Sequence, residues 1–420
     1  MLHVGNCIDV ISQLRDASVD SVVTDPPYEL GFMGKSWDST GIAYNTELWR
    51  QCLRVLKPGG HLIAFSGART YHRMAVAIED AGFEIRDQIM WVYGSGFPKS
   101  LNISKAIDKM VGADREVVGI GTSGKTRHVL NAANTPDTFG GEYEITKAAS
   151  EEAKQWEGWG TALKPAHEPM VLARKPLDGT VAENVLEYGT GALNIDATRI
   201  PFGEEQINLS RKQRQQQFEG GIDFGASRLV GTEIPTYKEG GRWPANFIHD
   251  GSEEVLELFP DAKGGTWNTT KGARHFNNNG KPTDYQTKGQ DKSNGSAARF
   301  FYCAKASSAE RNLGLDELPD RRQDEDDYER AGTTNPRNRS QKMRKNHHPT
   351  VKPVALMRHL VKLVTPLNGT VLDPFLGSGT TAVAATLEGI NWVGCEMNEE
   401  YAQIIWARVN HAEKSVNEDE

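Results

Sequence analysis

Val19-Asp20-Ser21-Val22-Val23-Thr24, running straight into Asp25-Pro26-Pro27-Tyr28, is the stretch on which the fold turns. A β-branched run that stops on an Asp-Pro-Pro turn reads as a strand with an abrupt end. Downstream, Leu48, Cys52, Leu53, Val55 and Leu56 recur at helical spacing until Lys57-Pro58-Gly59-Gly60 ends the helix. His61-Leu62-Ile63-Ala64-Phe65 reads as the next strand, 69–81 as a helix and 83–93 as another strand. This alternation predicts an α/β protein built on a doubly wound, mostly parallel sheet.

Further along the rhythm breaks. Residues 94–164 are polar and glycine-punctuated, with helices expected near 103–110 and 145–156. His167-Glu168-Pro169-Met170-Val171-Leu172-Ala173-Arg174 is one more strand, and 179–345 reads as an irregular, loop-rich module. The pattern then returns: a helix over 353–364, a strand over 369–373, a turn, a helix to residue 388 and a strand over 391–396. A core split between both ends of the chain is expected, comprising 1–100, 166–177 and 348–413. An insertion (101–165), a candidate target-recognition region (178–347) and a disordered acidic tail (414–420) complete the division.

Composition sets outer limits. With 38% hydrophobic and 25% charged residues the chain matches an ordinary globular protein. It has no apolar run near the ~20 residues needed to span a bilayer, and its start lacks a secretory pattern. A reduced, cytoplasmic location is expected, with no membrane partner. The four cysteines form no CxxC pair, so no metal site is expected. A net charge of −8 neither suggests nor excludes nucleic acid, because a local basic face decides that. One such stretch holds Arg337, Arg339, Lys342, Arg344, Lys345 and Lys352 without an acidic residue.

Two motifs carry chemistry. In Asp25-Pro26-Pro27-Tyr28 the prolines remove two N–H donors and stiffen the backbone, so carbonyls face outward. A carboxylate, a carbonyl and an aromatic face suit a planar base bearing an amino group. Hydrogen bonds from that NH2 to Asp25 and the Pro26 carbonyl would bias the nitrogen towards attack, and positioning would supply most of the catalysis. The second motif is Asp373-Pro374-Phe375-Leu376-Gly377-Ser378-Gly379-Thr380-Thr381, a glycine-rich strand-to-helix turn lacking the GK[ST] ending of a phosphate loop. Glu396 ends the following strand, where an acid can accept both ribose hydroxyls of a nucleoside.

With these residues the chain resembles the DNA amino-methyltransferases (N6-adenine and N4-cytosine), in the permuted group where DPPY precedes the cofactor loop. It is similar to phage and prophage members through Phe300-Phe301-Tyr302-Cys303-Ala304-Lys305 and Lys164-Pro165-Ala166-His167-Glu168-Pro169. The resemblance implies a seven-stranded methyltransferase-type sheet with an inserted target-recognition module, and S-adenosyl-L-methionine as cofactor. His348-Pro349-Thr350-Val351-Lys352-Pro353 is similar to an element that cradles the cofactor's methionine part, which brings in Thr350 and Lys352. Gly5-Asn6-Cys7 lies where the family often has Gly-Asp-Cys, near the cofactor adenine. The candidate cofactor contacts are therefore Asn6, Cys7, Asp25, Thr350, Lys352, Asp373, Pro374, Phe375, Gly377, Ser378, Gly379, Thr380, Glu396 and Met397.

The substrate implied is double-stranded DNA with its target base flipped out. Asp at the first position of the tetrapeptide leans to N6 of adenine, with N4 of cytosine the alternative. An RNA methyltransferase and an inactive DNA-binding relative are remoter readings. Ring-carbon methylation is excluded, since no cysteine follows a proline. Candidate DNA contacts are Arg337, Arg339, Arg344 and Lys345 on phosphates, and Trp37 with Phe32 in a loop over 29–38 that would close on the flipped base. A homodimer and a partner restriction enzyme stay open.

Overall fold

The computed structural model describes residues 1–31, 36–96, 98, 100–122, 142–201, 241–263, 294–304, 307, 309–322 and 343–419, with strand pieces at 266–268, 275–276, 282–283 and 288–290. Among the described residues the main sheet has nine strands. In chain order they are β1 (Leu2–Val4), β2 (Val19–Thr24), β3 (Leu56–Phe65), β4 (Glu84–Val92), β5 (His167–Arg174), β6 (Phe247–His249), β7 (Tyr302–Cys303), β8 (Thr370–Asp373) and β9 (Asn391–Glu396). Their order across the sheet is β1-β9-β8-β2-β3-β5-β4-β6-β7. Only β5 runs against its neighbours; every other pairing is parallel.

Both faces of the sheet are covered, which explains why its strands read as near-continuous apolar runs. Successive residues serve opposite cores: Val22, Leu62 and Leu372 lie in one cluster, and Val23, Ile63 and Val371 in the other. The first cluster is closed by helices α1 (Cys7–Ser12), α2 (Thr46–Val55) and α3 (Tyr71–Asp80), which contribute Ile11, Trp49 and Ile78. On the second face lie α4 (Val354–Val364) and α5 (Thr380–Leu387), with Leu356, Leu360 and Ala384. The C-terminal α6 (Glu399–Asp419) adds Ile405 and Val409 to a third cluster shared with α5.

Four expectations are corrected. The sheet has nine strands rather than seven, because β6 and β7, from the region read as a separate module, extend it beyond β4. They cover what would otherwise be an open edge of unpaired backbone groups. The helix expected over 145–156 is a strand, Glu142–Thr146, paired with Val117–Thr122, and then a short helix, Glu151–Gln155. Ser150 marks the change, its hydroxyl accepting from the Ala153 N–H as an N-cap. The Lys57-Pro58-Gly59-Gly60 stretch ends α2 but belongs to β3. The acidic tail is helical as far as Asp419, there being no glycine or proline after Gly394 to stop α6.

Candidate active site

The four adjacent parallel strands β1, β9, β8 and β2 end on one edge of the sheet, where ligands of open α/β folds bind. That edge carries Asn6, Glu396, Asp373 and Asp25. The two Asp-Pro turns are linked directly: the Thr24 hydroxyl, at the end of β2, donates to Asp373 Oδ1 at 2.6 Å. Asp373 also accepts from the Thr381 hydroxyl (2.6 Å) and the Phe375 N–H (2.9 Å). Burial raises its pKa to about 6, against the pull of these three donors.

Beyond Asp373 the turn needs its glycines. Gly377 has φ +52°, and a Cβ there would lie 2.8 Å from His348 Nε2. Gly379, at φ +78°, would meet the Ile405 side chain at 3.0 Å. Pro374, Ser378 and Thr380 are buried. From α6, buried Arg408 fixes the turn by donating to the Ser378 carbonyl (2.6 Å), the Ser378 hydroxyl (3.1 Å) and Thr380 Oγ1 (3.1 Å). Glu396 receives the Gly377 N–H at 2.9 Å and the Asn398 N–H at 2.8 Å. Each carboxylate oxygen keeps a second lone pair for a hydroxyl donor. Partial burial raises Glu396 to about 7.

Next to this cradle is a cluster of charge. The Lys352 ammonium sits 2.7 Å from Asp25 Oδ2, 3.2 Å from Glu168 Oε2 and 3.1 Å from the Tyr28 hydroxyl oxygen. Tyr28 in turn donates to Glu168 Oε2 at 2.8 Å. The ammonium also lies over the rings of Phe65 (5.0 Å) and Tyr28 (5.2 Å). Burial works against the Lys352 charge, yet Asp25 and Glu168 outweigh it and hold its pKa above the ordinary value. Burial raises Asp25, with Lys352 opposing, and burial keeps the Tyr28 hydroxyl protonated far above its usual range. Asp25 Oδ1 is buried and has no hydrogen-bond partner among the described residues. An open acceptor of this kind costs stability unless a ligand supplies the donor.

The structure brings Asp25, Tyr28, Lys352, Asp373, Gly377 and Glu396 to one edge and distributes the other candidates differently. Asn6 caps α1, its Oδ1 accepting from the Ile8 N–H at 2.9 Å. Cys7 is buried in the first core cluster, and burial pushes its thiol up to about 11. Thr350 is exposed and gives its N–H to His348 Nδ1 at 3.3 Å. Met397 is 70% exposed, just past the end of β9. Trp37 is half-buried, in a turn whose Asp38 receives the Glu29 (2.9 Å) and Leu30 (3.2 Å) N–H groups. Lys345 is engaged internally, donating to the Asp316 carbonyl at 2.7 Å, and Arg344 pairs in a short ladder with Arg321. Phe32, Arg337 and Arg339 lie outside the described residues.

Glu168 and Arg408 were given no role by sequence reasoning, and His348 entered only as the first residue of the His348–Pro353 element. The readable signal for Glu168 was an acid at the head of an otherwise apolar strand; Arg408 offered none at the level of residue spacing.

The family model described as DNA methylase, covering N6 and N4 methyltransferases, matches residues 19–407. M.HpaI, a type II methyltransferase of Haemophilus parainfluenzae, is 30% identical over 243 residues, which is 51% of this chain and 74% of that protein. YubD of Escherichia coli (strain K12) is 49% identical over 55 residues; these are 13% of this chain and 24% of YubD. Among solved structures, TTHA0409 of Thermus thermophilus in complex with S-adenosyl-L-methionine aligns over 98% of this chain and 93% of that one. Its 16% identity and TM-score of 0.40 are too low to transfer residue roles.

Proposed function

The chain belongs to the N6/N4 DNA methylase family, and from that premise we propose that it methylates an exocyclic amino group of a DNA base, N6 of adenine at specific sites. The observation that carries this reading is Asp25 Oδ1, buried and without a partner among the described residues, on a carboxylate whose other oxygen shares the Lys352 ammonium with the Tyr28 hydroxyl. An NH2 donor is what that oxygen lacks. S-Adenosyl-L-methionine is the family's cofactor and supplies a methyl group already activated on a sulfonium. The residues present fit it: the turn at Gly377 has no room for a side chain, and Glu396 retains lone pairs for ribose hydroxyls.

The chain's own groups then act as follows. Asp25 Oδ1 and the Pro26 carbonyl accept the two N–H bonds of the amino group and fix its nitrogen in line with the methyl. Tyr28 stacks on the base, its ring held by the bond to Glu168. Lys352 anchors the other oxygen of Asp25, so the carboxylate does not rotate away. Neither amino group can be reached within a duplex, so the base is flipped into this pocket at a cost of a few kcal/mol. Asp at the head of the tetrapeptide supports adenine. The region 178–347 reads the site, with its cations on phosphates.

The test is to incubate the protein with labelled S-adenosyl-L-methionine and unmethylated DNA, digest the product and identify the modified nucleoside by mass spectrometry. N6-methyladenine is expected. N4-methylcytosine would keep the role of Asp25 and overturn the choice of base. No methylated nucleoside, with Asp25→Ala behaving identically, would sink the reading.

A further inference from the structure

β5 is the one strand of the sheet that runs backwards, and this has a chemical effect. The parallel strands deliver their last residues to the functional edge; an antiparallel strand delivers its first. Glu168, the second residue of β5, thereby arrives opposite Trp91 near the end of β4 and beside the Asp25 pocket. There its carboxylate bridges the Tyr28 hydroxyl at 2.8 Å and the Lys352 ammonium at 3.2 Å.

Charge is the second observation. Asp25 and Lys352 alone would neutralise each other. With Glu168 added, two carboxylates face one ammonium, a formal excess of one negative charge among side chains only 9–18% exposed. Methyl transfer breaks a carbon–sulfur bond, whose electron pair returns to sulfur, and forms a carbon–nitrogen bond. The amino nitrogen gains positive charge until it releases a proton to Asp25 Oδ1, the acceptor of one of its N–H bonds. A fixed anion close to that nitrogen stabilises the transition state more than the ground state, in which the charge still resides on sulfur.

We propose that Glu168 is a positioning residue of the methyl-transfer pocket: it holds Tyr28 and Lys352 in place and supplies the net negative charge that stabilises the cationic amino nitrogen. The proposal rests on the function proposed above, and wild-type turnover keeps the two separable. If wild-type protein forms no methylated nucleoside, the functional reading fails first.

Given wild-type turnover, the experiment compares Glu168→Gln with Glu168→Asp in single-turnover methylation, alongside cofactor affinity and thermal melting. Gln keeps size and an acceptor for Tyr28 but removes the charge; Asp keeps the charge on a shorter stem. The expected result is a fall of about 100-fold in the transfer rate for Glu168→Gln, with cofactor Kd and melting nearly unchanged. Glu168→Asp should recover about tenfold of that loss. A wild-type rate in Glu168→Gln would overturn the proposal. So would equal losses in the two variants, or a loss of cofactor binding and melting temperature that accounts for the rate, since either outcome makes Glu168 a packing residue.

Discussion

Asp25 and Asp373 end neighbouring parallel strands, each is followed by proline, and they have opposite hydrogen-bond balances. Asp373 is engaged on both oxygens: two hydroxyls and a backbone N–H address it, and it ties the end of β2 to the start of α5. Asp25 is anchored on one oxygen by Lys352 and left open on the other. A carboxylate engaged on both oxygens by the chain's own donors holds the fold together. One with a buried acceptor unmet carries a cost that only a ligand removes. Under the function proposed above, Asp373 serves the architecture and Asp25 the chemistry, although the two look alike in sequence.

The sharpest way to break this contrast is Asp25→Ala. Methyl transfer should fall by at least about 1000-fold, as expected when a group aligning the nucleophile is removed. Stability in urea should change by less than about 1 kcal/mol, because Lys352 keeps Glu168 as a partner and an orphaned acceptor has gone. Comparable losses of stability and rate would erase the distinction. Asp373→Ala should do the reverse. It strands the hydroxyls of Thr24 and Thr381 inside the protein and should cost about 3 kcal/mol in urea unfolding. Unchanged unfolding would show that those bonds contribute little.

Glu396 sharpens the comparison from between the two. Both its oxygens accept backbone N–H groups, yet its pKa is raised to about 7 because it is partly buried. A carboxylate with a raised pKa takes up a proton as the pH falls through that value, and the protonated form loses acceptor capacity. Cofactor affinity should therefore weaken roughly tenfold between pH 8 and pH 6. Glu396→Gln should flatten this profile, as measured by binding titration across the range. A flat profile in the wild type would remove Glu396 from the site.

Much of this was legible in the sequence where a local rule applied. Residues 19–28 and 369–381 each join a short β-branched run to a turn with rigid or glycine backbone, so strand, stop and loop announce themselves within a dozen positions. What stayed hidden depends on distant contacts. β1, β6 and β7 have two or three residues each, too few to show any period, and they exist because a neighbouring strand offers free backbone groups. Glu168 meets Tyr28 across 140 positions, and only the reversed direction of β5 brings it there. The same limit applies to Lys345. Its charge reads as available for phosphate, and nothing in its neighbourhood discloses the Asp316 carbonyl that receives it.

The pairing of β1 with β9 has a consequence for how this molecule is made. Leu2 is level with Gly394, and β9 separates the first strand from β8. Residues 2–4 must wait for a strand nearly four hundred positions later before that edge can close. Such long-range pairing is slow, because a large loop must be ordered before any contact repays it. While β3, β4 and β5 can assemble early on the ribosome, the proposed cofactor cradle waits for Glu396 on β9 and for Arg408 on α6. Nascent chains of this protein would thus remain chemically silent until β9 and α6 arrive, and truncation before residue 391 would silence them permanently.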